Sequence, residues 1–287
     1  MAATIAGVLS VFDPDADEVP VVFDSPHSGA EYPDDFGCIA PMANVRTAED
    51  AFVDALFAAA PGKGATLLSA HFPRAYIDVD RSALDLDPNM LEGPWPEPLA
   101  PNPKTTKMGS GLVWSTCIPG IPMYDRKLSV AEIRRRIETY YKPYHAALAQ
   151  TLDDKRRRFG RVWHVNCHSM VSVSSVKGPE GRAGMERPHF ILGDVDGSTC
   201  APEFTDLVRA NLAGMGYEVR INTPYTAAEL VIAYADPANG CHGLMIDIKR
   251  DLYMDEETIE RTSGFTALEA DVTRLIEAIC DYARSAA

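Results

Sequence analysis

What the chain lacks narrows its function first. No run approaches the ~18 or more consecutive apolar residues of a membrane span, and the start, Met1 to Ser10, has neither the basic opening nor the long apolar core of a signal peptide. The cytoplasm is the expected compartment. Basic residues are outnumbered, 27 Lys and Arg against 41 Asp and Glu, for a formal charge of −14. Such a surface repels nucleic acid and anionic membrane, so neither is an expected partner. Six cysteines (Cys38, Cys117, Cys167, Cys200, Cys241, Cys280) occur without a C-x-x-C pair. A structural zinc knot and a dithiol redox motif are therefore not indicated, and buried reduced thiols are the expectation. No G-x-S-x-G elbow, P-loop or dinucleotide fingerprint is found, which argues against serine-elbow hydrolysis, phosphoryl transfer and hydride transfer.

What is present is an ordinary globular composition, 46% hydrophobic and 24% charged, over 287 residues. That length buries roughly three quarters of the surface of the unfolded chain, enough for a full enzyme core. Val19–Phe23 reads as a strand stopped by Ser25-Pro26-His27-Ser28-Gly29, which puts His27 on the loop leaving it. Thr47–Ala60, with Phe52, Leu56 and Ala60 four apart, reads as a helix. Ala65–Ala70 and Ala75–Val79 read as strands either side of Phe72-Pro73-Arg74. A long helix is predicted from Ser129 to the basic cluster Lys155–Arg158, whose charge suits a helix C-terminus.

Arg161–Cys167 reads as a buried strand with His168 at its exit. A strand near His189–Leu192, a helix over Pro202–Ala213, strands over Tyr217–Ile221 and His242–Ile248, and a closing helix over Glu256–Ala283 complete the pattern. Alternating strands and helices predict an α/β fold, a mixed and mainly parallel sheet with helices on both faces. No repeat or boundary divides it, so residues 1–287 read as one domain. Eight prolines fall between Pro88 and Pro122, a texture foreign to a core helix or central strand. That stretch, about 88–122, reads as an active-site flap or as an arm between copies in a homo-oligomer.

Open α/β sheets bind ligands beyond the carboxyl ends of their strands, where His27 and His168 are predicted. Two neutral imidazoles with one carboxylate and an open position make a catalytic zinc shell. Asp50, near the start of the helix after the His27 loop, is the first candidate carboxylate, with Glu49 and Glu31 as alternatives. Thr47-Ala48-Glu49-Asp50 is equally a capping box, in which Asp50 only satisfies the helix start. Cys167-His168 and Cys241-His242 put thiol beside imidazole, but neighbours on a strand point to opposite faces, so neither is a ready nucleophile pair.

Five segments in order, Ser-Pro-His27-Ser-Gly29, Tyr-Ile-Asp78-Val-Asp80-Arg81, Lys-Pro-Tyr144-His145, Asn-Cys-His168-Ser-Met and Leu-Tyr253-Met-Asp-Glu, resemble the N-formylglutamate amidohydrolase family over about residues 20 to 260. The resemblance implies a zinc-carboxypeptidase-like fold and hydrolysis of N-formyl-L-glutamate to glutamate and formate in histidine breakdown. It implies one Zn²⁺ on His27, Asp50 and His168. Asp247 stands where the family usually has a glutamate general base, one methylene longer. Asp78-Val-Asp80-Arg81 replaces the commoner Asp-Leu-Asn-Arg, and Ala227-Ala228 replaces Gly-Gly. A carboxylate at Asp80 is expected to oppose an anionic ligand near Arg81.

The implied partner is a small anionic N-acyl amino acid, whose carboxylates suit guanidinium groups. Arg74, Arg81 and Arg250 are the cations expected to hold it, unless Arg81 is paired to Asp78 or Asp80, and Tyr225 is expected to close the site. Two other readings stand beside this one. One is an amidohydrolase of another N-acyl amino acid, the other a binding or regulatory protein left by the changes at Asp80 and Asp247.

Overall fold

The computed structural model describes residues 3–117, 120–175 and 181–285. Seven strands form its central sheet: β1 (Leu9–Phe12), β2 (Val21–Ser25), β3 (Thr66–Ala70), β4 (Val162–Met170), β5 (Phe190–Gly193), β6 (Val219–Ile221) and β7 (Cys241–Lys249). Their order is β1-β3-β2-β4-β7-β5-β6. Neighbours are parallel except at β1–β3 and β7–β5, so the sheet is mixed and mainly parallel, as the alternation of elements predicts.

Helices cover both faces. One face packs α2 (Val53–Leu56), α6 (Pro202–Gly214) and α8 (Gly264–Ser285) over Phe23, Trp163, Val165, Leu244 and Ile246. Helix α8 buries Phe265, Leu268, Val272, Leu275, Ile276 and Ile279 at three- and four-residue spacing, each worth ~1.5–3 kcal/mol of burial. It begins at Gly264 rather than Glu256, because Met254–Asp255 and Glu260–Arg261 pair as a small hairpin.

The opposite face carries α4 (Val130–Arg136), α5 (Lys142–Phe159) and α7 (Glu229–Tyr234), with Ile133, Tyr144, Leu148 and Leu230 in its core. A π turn over Ile137–Tyr141 joins α4 to α5. Pro143 just beyond it has no N–H to donate, which favours a locally widened turn. Between β3 and β4 the Pro-rich stretch carries the short α3 (Pro103–Met108) and contributes Leu91, Leu112, Val113 and Trp114 to this core, and its residues 118 and 119 lie outside the described ones.

Two predicted elements do not form. The helix over Thr47–Ala60 is broken into α1 (Met42–Arg46) and α2, with Phe52 between them at φ 66°. The backbone N–H of Asp50 donates to the His27 carbonyl (3.0 Å) instead of continuing a helix. Ser28 Oγ donates to the Asp50 carbonyl (3.2 Å) and accepts from Asp54 N–H (3.1 Å). Ala75–Val79 is a turn rather than a strand, held by Tyr76 N–H to the Pro73 carbonyl (3.0 Å) and Asp78 N–H to the Leu112 carbonyl (2.8 Å). Both departures serve buried side chains that no regular element would aim correctly.

Candidate metal centre

Strand β4 shows how the site is made. Its residues Trp163, Val165 and Cys167 enter the apolar core, while the alternate His164, Asn166 and His168 face the other side, all buried. Parallel central strands are normally apolar on both faces. A polar row there persists only if its members are hydrogen-bonded. β4 runs to Met170, so His168 lies inside the strand, because β7 pairs with it as far as Met170↔Lys249. His27 sits two residues past β2, and Gly29 follows because a Cβ there would lie 2.4 Å from His71 and Phe72 backbone atoms.

His27, His168 and Asp50 converge. The two Nδ1 atoms are 3.2 Å apart, and Asp50 Oδ2 is 3.0 Å from His168 Nδ1 and 3.4 Å from His27 Nδ1. A tetrahedral zinc with bonds of ~2.0–2.1 Å requires ligand atoms about 3.3–3.4 Å apart. The triangle fits such an ion, and two imidazoles with a carboxylate are a donor set zinc accepts. A second carboxylate, Asp80, lies within 4.8 Å of the same imidazoles. It meets His168 from the far side, at Nε2 (3.5 Å), and its Oδ1 accepts from Leu230 N–H (2.8 Å). The shared edge of the triangle therefore favours Asp50.

The far edges of both rings are held. His27 Nε2 donates to Asp78 Oδ1 (2.8 Å), and His168 Nε2 meets Asn166 Oδ1 (2.5 Å). Both Nε2 atoms are thereby engaged, and both Nδ1 atoms face the Asp50 carboxylate. Burial alone would raise the Asp50 carboxyl, but hydrogen bonds from His168 and His27 and the charge of Arg74 hold it well below the usual range. Burial lowers His168, yet the Asp50 hydrogen bond and the charges of Asp80, Asp50 and Asp247 raise it to about 9. A metal held at Nδ1 would take the place of that proton.

Three residues of the α4–α5 helix pin the turn that carries Asp78 and Asp80. Arg136 donates to the Tyr76 carbonyl, His145 to the Val79 carbonyl and Tyr141 to the Arg81 carbonyl, each at 2.9 Å. The turn is thereby fixed without strand pairing.

Asp247 is the register partner of His168 in the parallel β4–β7 pair, so the two side chains stand side by side on one face. It is 6% exposed, and its Oδ1 has no hydrogen-bond partner among the described residues. Burial raises its carboxyl; His168 opposes this, Asp50 adds to it, and the result is about 6. A carboxyl so placed is poised to exchange a proton near neutral pH.

Thr47 Oγ1 donates to the Asn44 carbonyl (2.7 Å) at the end of α1, so the capping box does not form and Asp50 is released for the histidines. Glu49 accepts from Tyr32 (2.5 Å) and Arg46 (3.3 Å), and the Glu31 side chain is 66% exposed against His71, so neither joins the pair. Arg250 donates to Ser169 Oγ (3.0 Å), the Thr47 carbonyl (2.8 Å) and Asp50 Oδ1 (2.9 Å).

Arg74 donates to Asp78 Oδ2 (3.0 Å) and lies over Trp114, whose Nε1 donates to the same oxygen (3.2 Å). Arg81 holds the carbonyls of Ser110 (3.1 Å) and Asp80 (2.7 Å), not a carboxylate of Asp78 or Asp80. These three arginines brace the site internally. The Asp80 carboxylate is engaged instead by Leu230 N–H and His168, so the alternative of Arg81 paired to an Asp78 or Asp80 carboxylate is not formed among the described residues.

Arg187 was missed. It is buried just before β5, its guanidinium lies 5.3 Å from the half-buried Tyr225 ring, and its charge acts on Asp247. β5 runs antiparallel to β7, which brings its beginning, and Arg187 with it, to the end of the sheet that holds Asp247. Strand direction is not written in a short apolar run, and no motif marks this arginine.

A family model described as N-formylglutamate amidohydrolase matches residues 19–254. An N-formylglutamate deformylase of Pseudomonas aeruginosa is 26% identical over 274 residues, covering 93% of this chain and 94% of that protein. The N-formylglutamate deformylase of Pseudomonas putida is 26% identical over 242 residues, covering 83% of each. The crystal structure of N-formylglutamate amidohydrolase from Ralstonia eutropha is 45% identical, covers 98% of this chain and 100% of that one, and superposes with a TM-score of 0.94. With the family model matched from the start of β2 through the strand after Asp247, and that structure matched over nearly the whole length, the chain belongs to the N-formylglutamate amidohydrolase family.

Proposed function

We propose that this chain hydrolyses the formyl amide of N-formyl-L-glutamate, releasing glutamate and formate, with one zinc ion held by His27, Asp50 and His168. The observation that carries this reading is the triangle of Nδ1, Nδ1 and Oδ2 atoms with a raised carboxyl, Asp247, beside it. The names of the related deformylases and of the Ralstonia enzyme supply the substrate.

Zinc in that position supplies the Lewis acidity that polarises the formyl carbonyl and acidifies the attacking water. Asp247 takes the proton that water loses as the new C–O bond forms. It returns that proton to the glutamate nitrogen as the C–N bond breaks, giving formic acid and the free amine, and the acid's remaining proton passes to the amine so that the products leave as formate and ammonium. A formyl group offers little to grip, so binding must come from the glutamate carboxylates. Arg187 is the cation that serves them, with the Tyr225 ring orienting its guanidinium. Arg74, Arg81 and Arg250 act by holding Asp78, Asp80 and Asp50 in place.

Two treatments test the reaction type. A chelator is expected to abolish turnover of N-formyl-L-glutamate and stoichiometric zinc to restore it, whereas a thiol-alkylating reagent leaves turnover unchanged. Burial and the charge of Asp24 push the Cys167 thiol well above its ordinary range, and burial raises Cys200 to about 12. Thiolate, the reactive form, is scarce at both. Loss of activity on alkylation with chelator resistance would move the chemistry to a cysteine. Faster turnover of N-acetyl or other N-formyl amino acids would change the substrate but not the machinery. Zinc bound without turnover of any of them would instead make the chain a binding protein.

A further inference from the structure

Beneath His27 and His168 lies a buried polar chain whose inner members, Asp24, His164 and Tyr144, no step above uses. Asp24, on β2, is fully buried, and three groups donate to it: His164 Nε2 (2.6 Å) and Asn166 Nδ2 (3.0 Å) to Oδ1, and Tyr144 OH (3.0 Å) to Oδ2. Asn166 in turn presents Oδ1 to His168 Nε2 (2.5 Å). We propose that Asp24 is a positioning residue that dictates, through Asn166, which nitrogen of His168 is left to bind the metal.

Hydrogen-bond polarity fixes the Asn166 amide. An ionised carboxylate only accepts, so the Asn166 amide must turn its NH₂ toward Asp24. Its oxygen then faces His168, and an amide oxygen also only accepts. The Nε2 atom must therefore carry a proton, and Nδ1 is left with its lone pair toward His27 and Asp50. Without the anchor the amide is free to flip, present NH₂ to Nε2 and favour the opposite tautomer. The register Asp24↔Asn166 across β2 and β4 holds the two side chains at the same level of the sheet. Tyr144, from the Lys-Pro-Tyr-His segment, closes the anchor from α5. Partners bonded directly to a ligand, as Asn166 is to His168, typically alter metal affinity 10–100-fold, and Asp24 acts on that partner.

The inference rests on the reading of His168 as a zinc ligand, and the experiment separates the two. Zinc dissociation constants would be measured by chelator competition for the parent and for Asp24→Ala, Asp24→Asn and Tyr144→Phe. Asp24→Ala is expected to weaken zinc about 10–100-fold. Asp24→Asn, whose oxygen can still accept from Asn166, stays within about threefold, a change small beside that range. Tyr144→Phe, which loosens the same cluster but leaves the Asp24–Asn166–His168 chain whole, also stays within about threefold.

A parent-like affinity in Asp24→Ala, or an equal loss in Tyr144→Phe, would overturn the proposal while leaving the zinc site intact. Should Asp24→Ala fail to fold, the imidazole nitrogen spectrum of the zinc-loaded parent decides. The expected result is His168 bound through Nδ1, with a slowly exchanging proton on Nε2. Binding through Nε2 refutes the proposal. A parent that binds no zinc refutes the metal reading itself and this one with it.

Discussion

Replacing Asp247 by asparagine is expected to lower kcat for N-formyl-L-glutamate by about 10²–10⁴-fold, the usual worth of a positioned general base, with zinc still bound. The same change should make the metal-free protein more stable. The Asp247 carboxyl is raised from 3.8 to about 6, first by burial. Below the lower value it is neutral whether the chain is folded or not. Between the two values the unfolded chain ionises it while the folded one resists, so stability declines as pH rises and remains lower above about 6.

That rise in the carboxyl's pKa corresponds to roughly 3 kcal/mol. The isosteric amide removes that burden, and Tm at pH 8 should rise by roughly 5–10 °C, with little change at pH 4. Calorimetric melting of metal-free parent and variant at both pH values checks this. Undiminished kcat would remove Asp247 from the reaction, and an unchanged Tm would mean that its carboxylate is tolerated in place.

Arg250 carries the second large expectation. Read as a substrate cation, its loss would raise KM and leave the fold alone. Its three donor bonds to Ser169, Thr47 and Asp50 point elsewhere. Arg250→Met strips a buried partner from a buried carboxylate, a change that costs about 3–5 kcal/mol. Tm should fall by roughly 6–15 °C, and zinc should bind more weakly because Asp50 loses the group that orients it. Thermal melting with and without zinc, beside KM at zinc saturation, distinguishes the two roles. A KM effect with unchanged melting would return Arg250 to the substrate.

Much of the scaffold is legible from local pattern. The strands come from short β-branched runs and α8 from three-and-four spacing, because each local pattern agrees with the face it buries. Trp163 to His168 even shows the site, since apolar residues alternate there with His164, Asn166 and His168 in a strand that should be apolar on both sides. The helix over Thr47–Ala60 is where pattern fails. Its spacing is helical, but the Asp50 N–H is claimed by His27, 23 positions earlier in the chain, and tertiary bonding overrides propensity.

The chain's own residues thus determine the strands, the two histidines beside them and the family. Only the tertiary structure shows which carboxylate lies against both imidazoles. Asp50, Glu49, Glu31 and Asp80 are all acidic residues within reach of a plausible turn, and their separation depends on which one the packed backbone leaves facing two Nδ1 atoms. It likewise decides that Asp247 stands beside His168, through a register between strands, that Arg250 donates to Asp50, and that the charge of Arg187 acts on Asp247. Register and strand direction are set by burial of whole faces, a property of many residues at once. For that reason no single motif contains them.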